Sequence, residues 1–522
     1  MHKLFVEMTV VLSYWIYNIL LTLIVIIVTY RLKNYIRAVF LALNLPGPLA
    51  YPIIGNALTV TNSKKMEYLG TNAFTLYGPL MRTWISIIPF IFVLDPSHLQ
   101  TVLGNGKLTR KNMFYTLLHN FIGEGLITNN GEKWRSHRKL IQPYFHINAL
   151  ENFVTVFAET SSELVKRLAE VDEVKITEYI NNWVLDTLHR AVLDIRITDE
   201  EYKHSPFRKG ELIVPYRISR PWMLMDFIFK FTKSAHDEKK QKSSLHAFTK
   251  RVLDNKKKHG ASTSTNFISL LDMFMTIAES NPSFEEKDII DETCTFMLAG
   301  QDSVGAATAF SLYFLAKHQD VQAKVFKEQS NIFEDDSRLP NMQDLNEMKY
   351  LEQCIKETMR LCPSVPIVSR VLNEDVNLGE YTLPSGTNIF ISPFVTHRME
   401  YLYPEPLKYN PDRFSSENSS KIHPYGYIPF SSGPRNCIGY KFALLEIKCA
   451  ISSIIRNYQI RLVRGKEELN LSYRITLRAK NGIWIKFMKR MNQKKLKDGD
   501  YGIITNFSTF AQNSRLDISI IY

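Results

Sequence analysis

The chain has 522 residues, of which 45% are hydrophobic and 22% charged, an ordinary composition for a folded protein. Glycine and proline number 22 each, which excludes collagen-like, low-complexity and disordered proteins. Five cysteines are too few for a disulfide scaffold and are typical of a reducing compartment. The net charge of +12 suits an acidic partner or an anionic membrane surface, but it is too diffuse to indicate nucleic-acid binding.

The N-terminus carries an uncharged run of 23 residues from Met8 to Tyr30. As a helix, a run of this length spans about 30 Å of hydrocarbon. Basic residues follow from Arg31 onward, so the positive-inside rule places the rest of the chain on the cytoplasmic side. A cleaved signal peptide is the alternative, but its apolar region would be shorter and followed by small residues. We predict a membrane anchor over residues 1–37 and a proline hinge over 38–50.

Hydrophobic periodicity predicts a mainly α body with a minor β part. Residues 80–95 are rich in Ile, Phe and Val and predict a strand pair, and Asp95 with the following proline starts a helix. Further helices are predicted over 148–170, 176–195, 236–258, 284–318, 319–332, 344–361 and 438–456. Short strands are predicted at 369–372, 377–382, 387–391, 460–463 and 483–486. The basic stretch 254–265 predicts a surface loop. The body covers 51–488, and an extension of unassigned role covers 489–522.

The sharpest local feature is the segment that runs from Phe430 to Gly439. It forms a turn at Gly433, where glycine permits a backbone conformation closed to other residues. Cys437 then stands before a predicted helix, whose N-terminal N–H groups would stabilise a thiolate. Arg435 suits an anionic group on a bound partner, and Gly439 allows a flat partner to approach closely. Alone, the segment also fits a buried structural cysteine, whereas zinc is excluded by the ligand spacing.

These residues match a highly specific pattern. Phe430, Gly433, Arg435, Cys437 and Gly439 spell F-x-x-G-x-R-x-C-x-G, which resembles the haem-binding loop of the cytochrome P-450 superfamily. The resemblance extends over residues 45–488 and implies the cytochrome P-450 fold. It also implies that the cysteine is the ligand of the haem iron and that its neighbours in the loop bind the haem.

Two upstream motifs agree with this resemblance. Glu357 and Arg360 share a helix face and resemble the E-x-x-R of the superfamily, which ties to Arg413 in a P-x-R-F segment. Read alone, E-x-x-R is a common surface ion pair, but this order implies a buried charge network.

Trp134 and Arg138 lie four residues apart on a predicted helix and resemble the W-x-x-x-R motif, which contacts the haem propionates. Without the other motifs they would fit an ordinary amphipathic helix equally well. Arg370 resembles a further propionate contact.

The segment Thr293–Ser303 resembles the oxygen-side helix of the superfamily, with Ser303 in place of the usual threonine. The resemblance implies that Asp302 and Ser303 deliver protons during oxygen activation. The alternative is a serine that bonds back to a backbone carbonyl. Residues 122–146 resemble family four, the branch of animal fatty-acid hydroxylases. Ala299 stands where many members of that branch carry a glutamate that esterifies the haem, so we expect haem b to be held non-covalently.

The sequence thus predicts a haem-thiolate monooxygenase of the endoplasmic reticulum membrane. Its substrate would be lipophilic, fatty-acid- or terpenoid-like, and Trp222–Phe231 would dip into the bilayer beside an access channel. Electrons would come from NADPH through a separate flavoprotein reductase, because the chain has no Gly-rich dinucleotide fingerprint. The docking face for this reductase would consist of Lys139, Lys441 and Lys448. A haem-thiolate isomerase or dehydratase and a non-catalytic membrane haem protein are the alternatives.

Overall fold

The fold is mainly helical with small sheets, which confirms the predicted class. The structure is a computed structural model that describes residues 2–60, 62–208, 217, 220–259, 267–334 and 337–490. The α-helices in this part of the chain are α1 His2–Asn44, α2 Ala57–Val60, α3 Ser63–Tyr77, α4 Pro96–Gly104, α5 Met113–Ile122, α6 Gly131–Ile141, α7 Ile147–Leu168, α8 Ile176–Leu193, α9 Asp199–His204, α10 Asp226–Phe229, α11 Lys233–His259, α12 Leu270–Ser280, α13 Glu286–Lys317, α14 Gln319–Phe333, α15 Met342–Glu347, α16 Lys349–Leu361, α17 Pro393–Thr396, α18 Ser416–Ser419 and α19 Tyr440–Asn457. The strands are β1 Leu80–Ile85, β2 Ile88–Val93, β3 Glu173–Lys175, β4 Val368–Val371, β5 Val376–Leu378, β6 Tyr381–Leu383, β7 Asn388–Ile391, β8 Tyr458–Leu462, β9 Leu471–Tyr473, β10 Leu477–Ala479 and β11 Trp484–Lys489.

Helix α1 joins an exposed apolar part to a part that packs on the body. Its stretch Leu12–Tyr30, 19 residues, is long and apolar enough to cross a membrane, and none of it is buried. Further along the same helix, Arg37 forms an ion pair of 2.6 Å with Asp375, and Ala42 is fully buried. The two parts are therefore one continuous helix with two different surroundings.

The structure describes the N-terminal boundary of the body fully and the C-terminal boundary only in part. Helix α1 ends only at Asn44, so the hinge predicted over 38–50 is wrong in its first seven residues, which are helical. The irregular backbone begins at Leu45, because the two prolines that follow cannot continue a helix. At the other end, β11 closes at Lys489, and the extension predicted over 489–522 lies outside the described residues from residue 491 onward.

The main sheet has the strand order β1-β2-β7-β4. Strands β1 and β2 pair antiparallel with Leu80 opposite Val93, which confirms the predicted strand pair. Strand β2 then runs parallel to β7, which pairs antiparallel with β4. All of β2 after its first residue is buried, as expected for a run of bulky apolar side chains in a covered sheet. This sheet carries Arg370, on β4, into the protein interior.

Helix α13 runs through the main core. Every residue from Val304 to Ala316 is buried, as expected for a helix that is apolar on all sides. A capping box between Glu285 and Asp288 starts the helix. The helix packs against α8 and α19. Because α19 follows the cysteine loop, this packing brings the oxygen-side helix and that loop to one place.

One predicted helix differs from the structure in its limits, and some of the observed helices were not predicted. The helix predicted over 344–361 is two helices that meet at Met348, whose φ and ψ of −71° and 71° are not helical. Helix α12 was not predicted at all. Its capping box, between Ser269 and Asp272, is a signal in the sequence that would have marked its start.

The loop predicted over 254–265 is also partly wrong. Helix α11 continues through this basic stretch as far as His259, and residues 260–266 lie outside the described part of the chain. Lys256 is largely buried and forms an ion pair of 2.7 Å with Asp272. A charge run that looked solvated in the sequence thus finds partners on neighbouring elements.

A buried ion pair links α16 to the segment that precedes the cysteine loop. The side chains of Arg360 and Glu357 are fully buried and share hydrogen bonds of 2.7 and 2.9 Å. The remaining N–H groups of the guanidinium donate to the backbone carbonyls of His397, Pro406 and Lys408. The pair therefore satisfies backbone groups that have no sheet or helix of their own.

Arg413 completes this network. It lies in the 3-10 helix Pro411–Phe414, and its Nε is 3.5 Å from the carboxylate of Glu357. The same carboxylate accepts the backbone N–H of Asn410 at 2.8 Å. The structure thus brings together the three residues that the sequence assigned to a buried network, and Glu357 lies at its centre.

Replacing Arg360 with methionine is expected to lower the free energy of unfolding by about 3–5 kcal/mol, because it leaves the Glu357 carboxylate buried without a counter-ion. Denaturant unfolding followed by circular dichroism measures this change. Lys408→Met is the matched control, since its ion pair with Glu405 lies at the surface with 62% and 70% of the side chains exposed. An Arg360→Met protein as stable as this control would contradict the role of the network.

Candidate active site

The cysteine loop presents a sulfur to the interior of a cavity. Cys437 lies three residues before α19, whose N-cap residue is Gly439. The backbone N–H of Cys437 donates to the Phe430 carbonyl at 2.9 Å and closes the loop. Cys437 is exposed toward the cavity, whereas the other four cysteines of the chain are buried and do not line it. It is the cysteine that a ligand in this cavity would meet.

The surroundings of the Cys437 sulfur act on its protonation in opposite directions. Burial among protein atoms raises the pKa of the thiol, while the N–H of Gly439 and the positive side chain of Arg138 act to lower it. A metal ion bound at the sulfur would deprotonate the thiol outright. The loop thus holds a sulfur away from bulk water, with two groups that favour its charged form.

The two glycines of the loop have different roles. Gly433 has a φ of +71°, and a Cβ atom at this position would overlap the carbonyl oxygen of Leu103. Glycine is therefore required both by the backbone conformation and by the close approach. Gly439 has an ordinary φ of −89°, and an added Cβ would meet only Phe145, at 3.9 Å. It leaves open space at the cavity wall.

The cavity has a volume of about 750 Å³, within the range of ligand-binding cavities. Its mostly apolar walls come from the cysteine loop, α3, α13, β4 and the turn between β9 and β10. Nine of the predicted site residues line it, namely Trp134, Arg138, Asp302, Ser303, Arg370, Phe430, Arg435, Cys437 and Gly439. Gly433, Glu357, Arg360 and Arg413 do not line it and support the wall from behind.

Four cationic side chains on the cavity wall are close enough to repel one another. They are Lys111, Arg138, Arg370 and Arg435, and none of them forms an ion pair with a carboxylate of the described residues. Burial and mutual repulsion lower the pKa of Arg435 to about 9 and that of Lys111 well below its usual value. Burial also lowers the pKa of Arg138 and of Arg370. Such a cluster calls for an anionic ligand.

The arginines of this cluster are oriented by neutral partners. Arg138 donates to the side-chain oxygen of Asn436 at 2.7 Å and to its carbonyl at 2.9 Å, which ties α6 to the cysteine loop. The guanidinium of Arg435 stacks 4.2 Å from the ring centre of Trp134 and donates to the carbonyl of Leu126 at 3.0 Å. Neutral partners hold the side chains in place but leave their charge uncompensated.

These observations test whether the residues fit a haem. A haem carries two propionate carboxylates, and the cluster supplies four cations that lack an acidic partner. It also needs an axial ligand, and Cys437 is exposed to the same cavity. The donor set and the charge of the cavity therefore fit this group.

The two residues predicted to deliver protons lie on α13 at the cavity wall. Asp302 forms an ion pair with Arg478 and lies 3.4 Å from the hydroxyl of Thr476, both outside the predicted motif. Ser303 Oγ donates to the carbonyl of Ala299 at 2.7 Å, which is the local bond that the sequence offered as the alternative to a relay. Its oxygen keeps lone pairs that accept hydrogen bonds.

One part of the predicted docking face is wrong. Lys448 is buried, and its Nζ lies 2.7 Å from the carboxylate of Glu352 and 2.8 Å from the carbonyl of Leu345. Its position more than two turns into a helix that packs into the core explains this burial. Lys139 is exposed and Lys441 is partly exposed, so these two remain at the surface.

Sequence reasoning missed several residues of the site. Lys111 lies between helices and belongs to no motif, and it reaches the site with Nζ 4.1 Å from the ring centre of Tyr115. Arg478, the partner of Asp302, stands 176 residues further along the chain. The only signal for either residue in the sequence is a single positive charge outside any motif. Such charges are too common to single out a residue.

Comparison with known proteins agrees with the fold and the site. The sequence profile described as Cytochrome P450 matches residues 45–486. The chain is 46% identical over 469 residues to probable cytochrome P450 4aa1 of Drosophila melanogaster, covering 88% of this chain and 92% of that protein. It is 34% identical over 466 residues to human cytochrome P450 4V2, covering 84% and 89%.

A second Drosophila melanogaster protein, cytochrome P450 4c3, is 34% identical over 492 residues, with 88% of this chain and 91% of that protein covered. These relatives confirm the predicted resemblance to family four, and with the exposed apolar helix they indicate a membrane-anchored protein. On its fold, its cysteine loop and these relationships, the chain belongs to the cytochrome P450 family and is a haem monooxygenase.

Proposed function

We propose that this monooxygenase inserts one atom of O₂ into a lipophilic, fatty-acid- or terpenoid-like substrate, with electrons from NADPH supplied by a separate flavoprotein reductase. The observation that carries the proposal is the exposure of Cys437 in a cavity of about 750 Å³ with mostly apolar walls. When bound, the haem supplies the activation of oxygen. The apolar walls favour a substrate that gains free energy by leaving water.

The haem is held by residues from several elements. Cys437 provides the thiolate ligand, and Lys111, Arg138, Arg370 and Arg435 bind the propionates. The charge of the cluster supports this assignment, since two carboxylates would relieve the repulsion among the four cations. Ala299 lines the same cavity without a carboxyl group, so the haem is held non-covalently.

Asp302 and Ser303 move protons at the wall of the cavity that α13 forms. The ion pair with Arg478 holds the Asp302 carboxylate at the cavity edge, where 15% of the side chain remains exposed. From there the carboxylate takes up a proton from solvent and passes it to Ser303 Oγ, which releases its own hydroxyl proton into the cavity after turning away from the Ala299 carbonyl. Because the serine side chain is short, the position of the Asp302 carboxylate decides whether a proton can pass to Ser303 Oγ.

The membrane lies beside the segment that follows Pro221. Trp222, Met225, Phe227 and Phe231 are between 46% and 83% exposed, whereas the alternative of a buried helix requires these side chains to be covered. Exposed aromatic and aliphatic side chains of this kind insert into the headgroup boundary of a bilayer. With the basic residues that follow the apolar stretch of α1, they support a catalytic body on the cytoplasmic side of the endoplasmic reticulum membrane.

The reductase docks near the cysteine loop. Two lysines lie near the contact by which Arg138 and Asn436 tie α6 to the cysteine loop: Lys139 at the end of α6, and Lys441 at the start of α19, the helix that follows the loop. Two surface cations near the loop of the haem ligand favour a partner with an acidic face, and a partner docked there would be close to the haem.

The function is tested with the full chain in phospholipid nanodiscs, NADPH, a flavoprotein reductase and a lipid panel. We expect hydroxylated product in proportion to the NADPH consumed. We also expect Cys437→Ala to lose the thiolate-type absorbance of the reduced, carbon-monoxide-bound protein, and Cys449→Ala to retain it, because Cys449 is buried away from the cavity. Oxygen consumption without product for every lipid would contradict the substrate class. Product formed without NADPH would favour an isomerase.

Replacing Lys111 with methionine is expected to weaken haem affinity about tenfold, since one charged hydrogen bond to a propionate is lost. The same change is expected to raise the melting temperature of the haem-free protein, because it removes one charge from a cluster that repels itself. Haem titration and thermal unfolding measure the two effects. Lys107→Met, at an exposed position of the same segment, is expected to change neither. Unchanged haem affinity in Lys111→Met would refute the assignment.

Replacing Asp302 with asparagine is expected to lower the rate of product formation about a hundredfold, the usual contribution of a positioned proton donor. Substrate affinity should stay unchanged, and the solvent deuterium isotope effect on product formation should rise. Ser303→Thr, which keeps the hydroxyl, should retain the rate that Ser303→Ala loses. Equal rates for the two serine variants would show that the hydroxyl takes no part in the relay.

A further inference from the structure

A pair of buried polar side chains lies outside the cavity and has no role in the site described above. Glu292, on α13, is fully buried, and its Oε1 lies 2.6 Å from Nδ1 of His137 on α6. Neither side chain lines the cavity. A buried charge pair is by itself weak evidence for a stabilising role, so the other contacts of these two residues indicate what the pair does.

The second oxygen of the carboxylate binds the loop between α5 and α6. Oε2 of Glu292 accepts the backbone N–H of Leu126 at 3.0 Å. The neighbouring carboxylate of Asp291 accepts the N–H of Glu124 at 2.9 Å. The loop is therefore held against α13 at two points that lie two residues apart.

Leu126 connects this contact to the cationic cluster. Its carbonyl accepts Nη1 of Arg435 at 3.0 Å, and its side chain lines the cavity. Arg435 also donates through Nε to the carbonyl of Thr109 at 3.1 Å and through Nη2 to the carbonyl of Asn129. Two of these three carbonyls belong to the loop that Glu292 holds. The position of the loop therefore sets the direction in which the guanidinium points.

His137 is itself held in one orientation. Its ring centre lies 4.8 Å from that of Phe284, and its Nε2 lies 3.8 Å from Oδ1 of Asp288. Since a carboxylate only accepts hydrogen bonds, Nδ1 of the ring donates to Glu292. A fixed donor on α6 thus keeps the carboxylate turned so that its other oxygen faces the loop.

We infer that Glu292 is a positioning residue for haem retention and that it acts on Arg435 through Leu126. The inference rests on the proposed function, in which Arg435 binds a haem propionate. A guanidinium binds a carboxylate best when its planar fork faces the two oxygens. Carbonyl acceptors at fixed positions hold the fork in one direction before the haem binds, so less conformational freedom is lost on binding.

The test measures how fast haem passes from the full chain in phospholipid nanodiscs to an excess of apomyoglobin. We expect Glu292→Ala to release haem about tenfold faster, because a misdirected guanidinium loses one charged hydrogen bond to the propionate. Glu328→Ala is the matched control and should release haem at the unaltered rate. The carboxylate of Glu328 also accepts backbone N–H groups, those of Tyr350 and Leu351 at 2.5 and 3.0 Å, but these residues do not line the cavity.

Two conservative variants separate the acceptor from the charge, and they serve as well if Glu292→Ala does not fold. Glu292→Gln removes the charge but keeps an oxygen that reaches the N–H of Leu126, so haem release should stay within about threefold of the unaltered rate. Glu292→Asp keeps the charge, but its side chain is one methylene too short for the same contact. We expect faster release from Glu292→Asp than from Glu292→Gln, and the reverse order would overturn the inference.

A double-mutant cycle shows whether the effect passes through Arg435. Arg435→Lys keeps the positive charge but loses the fork that binds the loop carbonyls. In that background Glu292→Ala should change the release rate by less than about twofold, because the group that it positions is gone. An effect of Glu292→Ala of equal size in both backgrounds would overturn the inference. Release from Glu328→Ala as fast as from Glu292→Ala would overturn it too.

Amide hydrogen exchange of the haem-loaded chain gives a readout that does not depend on haem release. Exchange in the peptide that contains Leu126 is expected to be faster in Glu292→Ala than in the unaltered protein and unchanged in Glu328→Ala. Haem release that Glu292→Ala leaves unchanged, in a protein that forms hydroxylated lipid, would overturn the inference and leave the proposed function standing. The expected release rates in a protein that forms no product would contradict the proposed substrate class and leave the inference standing.

Discussion

The buried ion pair between Arg360 and Glu357 is the interaction on which the active-site loop depends. The chain between α17 and α19 contains only the 3-10 helix at Pro411–Phe414 and the four-residue α18, so helices and sheets satisfy few of its backbone groups. The guanidinium binds three carbonyls of this stretch, and the carboxylate binds one of its N–H groups. Further along, the ring of His397 accepts the N–H of Ile428 at 2.8 Å. Through these contacts a long irregular segment reaches Cys437 in a defined conformation.

Uncompensated charge then divides the cavity into regions with different tasks. The cationic cluster around Lys111 and Arg435 raises the free energy of the empty site, and an anionic group lowers it on binding. At another wall, Asp302 is paired with Arg478 and adds no net charge. The remaining walls are mostly apolar. Charge therefore specifies where a haem and a proton donor belong, while mostly apolar surface fills the space between them.

Much of the fold was accessible from the sequence because the signals are local. Helix α13, 32 residues long, follows from apolar periodicity, and the pair of strands at 80–93 follows from bulky β-formers. Three of the errors share one cause, which is packing against residues far away in the sequence. Lys256 and Lys448 were both assigned to solvent because a lysine normally lies there, yet both bind carboxylates on other elements. The predicted end of helix α1 was too early, because the helix continues where Arg37 binds Asp375, a residue 338 positions further along the chain.

The sequence by itself determined the chemistry of the site: the cysteine loop, its glycine with positive φ, the acid on α13 and the apolar anchor are all written in short, contiguous patterns. Only the tertiary structure decided which charges are compensated. Lys111, Arg370 and Arg435 come from three separate segments, and Asp302 meets Arg478 across 176 residues. The energy of a charged side chain depends on how far it is buried and on which charged groups other segments place beside it. The distances between these groups are set by packing and not by spacing along the chain.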